Sequence, residues 1–345
     1  MKQKVFLGLI IALVVVLLLS SKIPAIQNAT GGEAISSGWT ARVTNGVSLY
    51  PNEGPTFIDT TTFGNGYVSG GYCMIPYPPV YYTLWGLIDR ISGPTGSTGP
   101  AISFVATILT GVLLYFLVTR LTKKKLLGLV GSVLFLTSVT VTDWSIAPKS
   151  DMLALMFTIL GVFLVVRNKI FWAVPIFVLA VFTKQSYIIA PLAVVFYLLL
   201  KDRKQVLPFT CCLGVSLLVP FIAINYGTHG EFYRHIISFP IQSGGPGIVD
   251  LSLTLRELGI LFVLNIIALS LGIGGLIFNL VKRQIGLIEI WFCLTTLLMV
   301  CTIGKPGASS NYGLESIASA CVLGSIFVGT LLDKGLRRFN ATQNS

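Results

Sequence analysis

The sequence predicts an all-α, polytopic integral membrane protein, and three observations carry that prediction. Hydrophobic residues make up 54% of the 345 and charged residues only 11%, against about 25% charged in an average soluble domain. The mean hydropathy is +0.83. Long apolar runs alternate with short charged segments along most of the chain. Too little polar surface exists to cover a water-soluble globule of this length. The same composition excludes disorder, collagen and coiled coil. The formal charge of +11 comes from 24 Lys and Arg against 13 Asp and Glu. No RNA- or DNA-reading motif accompanies it, so the excess points to loops held at an anionic leaflet, with membrane lipids and no nucleic acid as partners.

Apolar runs bounded by charges fall at 5–21, 101–119, 126–142, 152–166, 170–183, 185–200, 206–224, 258–280, 286–303 and 313–332. That makes about ten transmembrane helices, several shorter than the ~20 residues of a full span. The runs 170–183 and 185–200 lie between two basic clusters, Arg167 with Lys169 and Lys201 with Arg203 and Lys204. If both clusters are cytoplasmic, the chain crosses twice and Thr183-Lys184-Gln185-Ser186 is the far apex. Basic residues set the orientation. On this reading 16 of the 24 lie inside, and only Lys22, Arg42, Arg90, Lys149, Lys184, Arg234, Arg256 and Lys305 lie outside. Acids reverse the pattern, with only Asp202, Glu289 and Asp333 inside. Both termini are therefore expected in the cytoplasm of a plasma-membrane protein. The chain reads as one membrane domain, 1–345. Segment 1–21 is a first span or a signal-like segment. A long first extracytoplasmic loop covers 22–100, a helical bundle 101–332 and a cytoplasmic tail 333–345.

The first outer loop, rich in Gly, Pro, Thr and Tyr, is expected to carry short interfacial helices near 32–46 and 80–92. Five of the six cysteines sit in apolar runs as small hydrophobes, and Cys73 lies in the outer loop. No His/Cys spacing points to zinc. No cofactor is expected, with a divalent metal left open. His229, Glu231 and His235 read more readily as a solvated segment than as a metal set.

No expected span carries an ionisable residue at mid-membrane, whereas transporters place charges or broken helices there. The ionisable groups instead collect at outer helix ends. Glu33 follows Gly31-Gly32. Asp143, Lys149 and Asp151 occupy the 143–151 turn, and Lys184-Gln185 the apex. Lys305, Asn311 and Glu315 precede or open the last span. Asp151 is equally readable as a helix-capping acid, Lys149 and Lys184 as interfacial snorkellers, and Glu315 as a first-turn acid.

Four local stretches resemble the polytopic GT-C glycosyltransferases that take sugar from a polyprenyl-phosphate carrier, a group that includes protein O-mannosyltransferases and aminoarabinose transferases. One is Glu33 followed by Gly46-Val47-Ser48-Leu49-Tyr50-Pro51. The others are Tyr77-Pro78-Pro79-Val80-Tyr81-Tyr82, Pro148-Lys149-Ser150-Asp151, and Thr183-Lys184-Gln185-Ser186 with the later Asn311-Tyr312-Gly313-Leu314-Glu315. Glu33 stands alone where the family often has Asp or an acidic pair, and Tyr77 stands where some relatives have Lys.

The resemblance implies a GT-C-like fold. It implies a polyprenyl-phosphate-linked sugar as donor and a glycan, lipid or protein as acceptor, with transfer at the outer face, inverting in outcome. Such a donor leaves as a phosphate anion, so the chemistry needs one carboxylate base and one or two cations. Glu33 is the expected base. Lys149, Lys184 and Lys305 are the expected phosphate ligands. Tyr77, Tyr81, Asp143, Asp151, Gln185, Asn311 and Glu315 are the expected sugar-pocket residues. The rival readings are a transporter or lipid-linked-sugar flippase, and a non-catalytic assembly subunit.

Overall fold

The computed structural model describes residues 33–50, 68–69, 72–73, 75–238, 240–241, 250–305 and 308–343. The first apolar run, 5–21, lies outside these residues. The regular structure of the described chain is helical apart from one ladder, in which Val68–Ser69 pairs antiparallel with Tyr72–Cys73. Two helices lie in the segment expected as the first outer loop: α1 (Glu33–Thr44) and α2 (Val80–Ser92). They fall where the sequence put interfacial helices, and they pack on each other, with Gly86 of α2 against Val43 of α1.

The bundle follows as α3 (Thr98–Thr122), α4 (Lys125–Leu136), α5 (Val139–Trp144), α6 (Asp151–Val166), α7 (Ile170–Thr183), α8 (Ile189–Lys201) and α9 (Arg203–Gly227). A short helix α10 (Glu231–Tyr233) runs into a π-turn, Arg234–Ser238. Then come α11 (Leu251–Leu264), α12 (Ile266–Val281), α13 (Leu287–Thr302) and α14 (Leu314–Gln343), which continues past the expected end of the last span. Among the described residues, three stretches are long and apolar enough to cross a membrane: α3, α9 and Ser310–Asp333; α11 and α12 together make a fourth. At 25 residues, α3 rises about 37 Å, more than the ~30 Å hydrocarbon core. Five further apolar helices are shorter.

Helices without a hydrophobic drive between them associate by close backbone approach. Glycines allow it here. A Cβ on Gly128 of α4 would lie 2.5 Å from the Tyr115 carbonyl of α3, and one on Gly272 of α12 would lie 2.7 Å from Ala320 of α14. Several buried hydroxyls are satisfied within their own helices, as where Thr107 and Thr110 donate to the carbonyls four residues back. By contrast α9 turns Leu207, Val215, Leu218, Val219 and Ile222 outward as an apolar face.

Two expected spans are corrected, 258–280 and 126–142. The run 258–280 is not a continuous helix: α11 and α12 meet at 98°. The break is at Asn265, which is 4% exposed. Its Nδ2 donates to Thr140 Oγ1 and to the Leu261 carbonyl, both at 2.8 Å, and its Oδ1 accepts from the Ser138 hydroxyl. Ser138 is itself the N-cap where the run 126–142 breaks into α4 and α5. Two helix breaks thus satisfy each other's polar groups, which is what buried irregular backbone requires.

Candidate active site

The N-terminal ends of α3, α6 and α14 and the C-terminal end of α7 meet at one end of the bundle. Asp151 opens α6 and Lys184 caps α7. The Lys184 ammonium donates to Asp151 Oδ1 at 2.5 Å, and Asn311 Nδ2 donates to the same oxygen at 2.9 Å. Asp151 is 2% exposed and Lys184 6%. The rings of Tyr77 and Tyr312 flank the ammonium, with centroids at 5.8 and 5.4 Å. Burial disfavours the charge on Lys184, but the adjoining Asp151 carboxylate, together with Tyr77 and Tyr312, outweighs it, and the ammonium pKa ends above the ordinary 10.5.

The turn before α6 is fastened from two sides. Ser103 of α3 donates to the carbonyl of Ala147 at 2.6 Å, and Trp144 Nε1 donates to Ser310 Oγ at 3.0 Å. Lys149 lies in this turn, partly buried. Burial and the positive charge of Lys184 hold its pKa below the ordinary 10.5, against the opposing pull of Asp151. Asp151 is paired with Lys184, and Lys149 is a second cation within its electrostatic reach.

Buried polar atoms with no partner among the described residues lie around this knot: Gln185 Oε1, Asn311 Oδ1 and the Tyr82 hydroxyl. Gln185 turns its amide nitrogen to the Pro76 carbonyl at 2.9 Å. Tyr82 is fully buried, with its ring edge-on to Trp39 and Tyr81. Two acceptors and one hydroxyl suit a hydroxyl-rich ligand, since an unpaired buried polar group costs about 1–3 kcal/mol.

Of the residues the sequence singled out, the structure gathers Lys149, Asp151, Lys184, Gln185, Asn311 and Tyr77. Tyr81 is fully buried and donates its hydroxyl to the Gly99 carbonyl at 3.0 Å, bolting α2 to α3. Glu315 is buried and accepts from Trp291 Nε1 at 2.7 Å. Asp143 is exposed at the end of α5. Lys305 is exposed after α13, with no side-chain partner among the described residues. Glu33 is the first residue of α1. Sequence reasoning gave Tyr312 and Tyr82 no role, although each lies inside a stretch it quoted. The solvated reading of 229–235 is corrected for His235, which is 1% exposed; His229 is exposed. Among the described residues, no three His, Cys, Asp or Glu side chains gather to hold a metal.

The charged, partly unsatisfied centre thus lies at one end of an apolar helical bundle. Residues 77–225 match the family described as dolichyl-phosphate-mannose-protein mannosyltransferase. The matched stretch carries Tyr77, Tyr81, Lys149, Asp151, Lys184 and Gln185, and over it the resemblance to membrane glycosyltransferases holds. It covers less than half of the chain and leaves out Glu33, Lys305, Asn311 and Glu315. No curated protein and no solved structure matches the chain.

Proposed function

We propose that this protein transfers a sugar from a polyprenyl-phosphate carrier to an acceptor hydroxyl at the outer face of the plasma membrane. The observation that carries the reading is the buried Lys184–Asp151–Asn311 knot with Lys149 beside it. Three chain segments converge there to keep a charged pair out of water, with the half-buried Lys149 beside it. Burial of that kind is expensive unless a charged ligand uses it. Lys184 and Lys149 hold the donor phosphate, and Asp151 keeps Lys184 charged and in place. Gln185, Asn311 and Tyr82 receive the sugar hydroxyls. Lys305 joins the phosphate only if its loop moves inward.

The acceptor oxygen attacks the anomeric carbon from the face opposite phosphate. Its proton passes to the Glu33 carboxylate. The carbon–oxygen bond to phosphate breaks, and its electron pair leaves with polyprenyl phosphate, so the configuration inverts. Asp151 is engaged by two donors, which favours Glu33 over it as the base.

The test is release of polyprenyl phosphate from a labelled donor by purified protein in lipid nanodiscs. Turnover in Glu33→Gln falls by about 10²–10⁴ while donor binding survives. Near-normal turnover in Glu33→Gln with loss in Asp143→Asn moves the base to the 143–151 turn. A wild-type protein that binds the donor and releases no carrier phosphate overturns the reading in favour of a flippase or an assembly subunit.

A further inference from the structure

Three consecutive residues of the first outer segment are each tied, through the backbone, to a different remote side chain. The Ile75 N–H donates to His235 Nδ1 at 3.0 Å. The Pro76 carbonyl accepts from Gln185 Nε2 at 2.9 Å. The Tyr77 carbonyl accepts from the Tyr50 hydroxyl at 2.8 Å. This stretch lies in no helix or strand, so its backbone groups depend on side chains for partners. Ile75 is fully buried. The result is a strap whose last residue, Tyr77, lies beside the Lys184 ammonium.

The His235 tie has the most definite chemistry. A backbone N–H can only donate, so Nδ1 accepts and carries no proton. The neutral ring then holds its proton on Nε2. That nitrogen faces Glu231 Oε2 at 3.7 Å, a carboxylate on the side this tautomer needs. Arg234 pairs with the same Glu231 and takes up part of its charge. The imidazole stands edge-on to the Tyr50 ring at 5.5 Å, so the histidine and the tyrosine that grip the two ends of the strap also pack on each other. His235 sits in the π-turn Arg234–Ser238. Such a turn inserts a residue into a helical path and re-aims the side chains that follow.

We infer that His235 is a positioning residue of the transfer site, fixing the register of the 75–77 strap and so holding the Tyr77 ring against Lys184. The inference rests on Lys184 as a donor-phosphate ligand. Asp151 takes one of the three ammonium protons, and the faces of Tyr77 and Tyr312 confine the group from its flanks. A strap released at Ile75 carries the Tyr77 ring away and leaves Lys184 less well aimed. Donor affinity then falls while the bond-making step, which involves neither ring, changes little.

The experiment uses the full-length protein in nanodiscs, with His235→Ala, His235→Asn and His235→Gln. The Asn carbonyl oxygen lies where Nδ1 lies, and the Gln amide reaches where Nε2 lies. Two readouts are taken: hydrogen–deuterium exchange in the peptide spanning 75–77, and KM and kcat with the polyprenyl-phosphate sugar. His235→Ala is expected to speed exchange and raise donor KM roughly tenfold, the scale of one lost cation–π contact, with kcat within about twofold. His235→Asn restores most of both, and His235→Gln does not. Unchanged exchange in His235→Ala, or rescue by Gln rather than Asn, overturns the inference. If His235→Ala does not fold, the contrast between Asn and Gln decides alone. If the wild-type protein transfers no sugar, the transfer reading has failed separately. The exchange comparison then still decides the latch: faster in Ala and Gln but not Asn supports it, and no difference overturns it.

Discussion

The bundle has a lysine–aspartate pair at each end, and the two could hardly be more differently placed. Lys124 meets Asp333 with side chains 43% and 52% exposed, whereas Lys184 meets Asp151 with side chains 8% and 3% exposed. In water the first pair is screened and contributes about 0–1 kcal/mol. The second has lost its hydration, and the Coulomb attraction regained must offset that loss. It succeeds only with help: Asn311 donates to the same carboxylate oxygen, and two tyrosine faces flank the ammonium. Identical functional groups thus mark a solvated surface at one end and a prepared centre at the other. Burial and the number of supporting groups separate them, not the residue types.

The largest expected effect comes from breaking the buried pair on one side. Asp151→Ala leaves an uncompensated ammonium in the interior and lowers unfolding free energy by about 3–5 kcal/mol, read by denaturation in a defined detergent. The double variant Asp151→Leu with Lys184→Met sharpens the comparison. Replacing both charges by apolar groups is expected to recover most of that stability, yet donor binding stays lost. Recovery of binding along with stability would make the pair a mere packing device. Next in size is Lys184→Ala, in which donor affinity falls about ten- to a hundredfold as one charge-assisted bond to phosphate disappears.

A smaller effect concerns pH. Lys149, with its pKa held below the ordinary lysine value, loses its proton before an unfolded lysine would. Donor affinity therefore declines as pH rises through that lowered value. In Lys149→Arg, whose guanidinium does not titrate in this range, the decline moves to higher pH. Lys184 behaves oppositely. Its raised pKa gives a contribution to stability that is complete below the ordinary value and is lost only as pH rises through the raised one. An identical alkaline limb in wild type and Lys149→Arg would remove Lys149 from the phosphate site. The smallest effect belongs to the exposed pair: Lys124→Ala or Asp333→Asn changes stability by less than about 1 kcal/mol, and less again in high salt.

Much of this was legible in the sequence because membrane chemistry writes in long, coarse strokes. Apolar runs bounded by basic residues gave α6, α7, α9 and α13 nearly to their ends, and an aromatic stripe gave α2. The break at Asn265 was not legible, since one amide inside an apolar run does not disturb the hydropathy that defined 258–280. Its cause is the distant Ser138 and Thr140. The charges at helix ends were visible, but their pairing was not. Asp151 read equally well as a helix cap and Lys184 as a snorkelling anchor, and only the fold brings together two groups 33 positions apart. Lys305, by the same rule, looked like a third member of the set and remains in solvent. His235 was hidden for another reason: its partner is a backbone N–H 160 positions away, and a backbone group leaves no trace in residue identity.

The joint at Asn265 has a mechanical consequence. Because one amide serves both breaks, straightening either helix pair strips partners from the other, and each stranded buried group costs about 1–3 kcal/mol. The two bends are therefore cooperative: they exist together or not at all. A compliant hinge absorbs strain gradually, whereas a joint of this kind resists small displacements and yields only as a unit. Since α5 runs from that joint directly toward the turn bearing Lys149, the stiffness is delivered to the end of the bundle where Lys149, Asp151 and Lys184 gather.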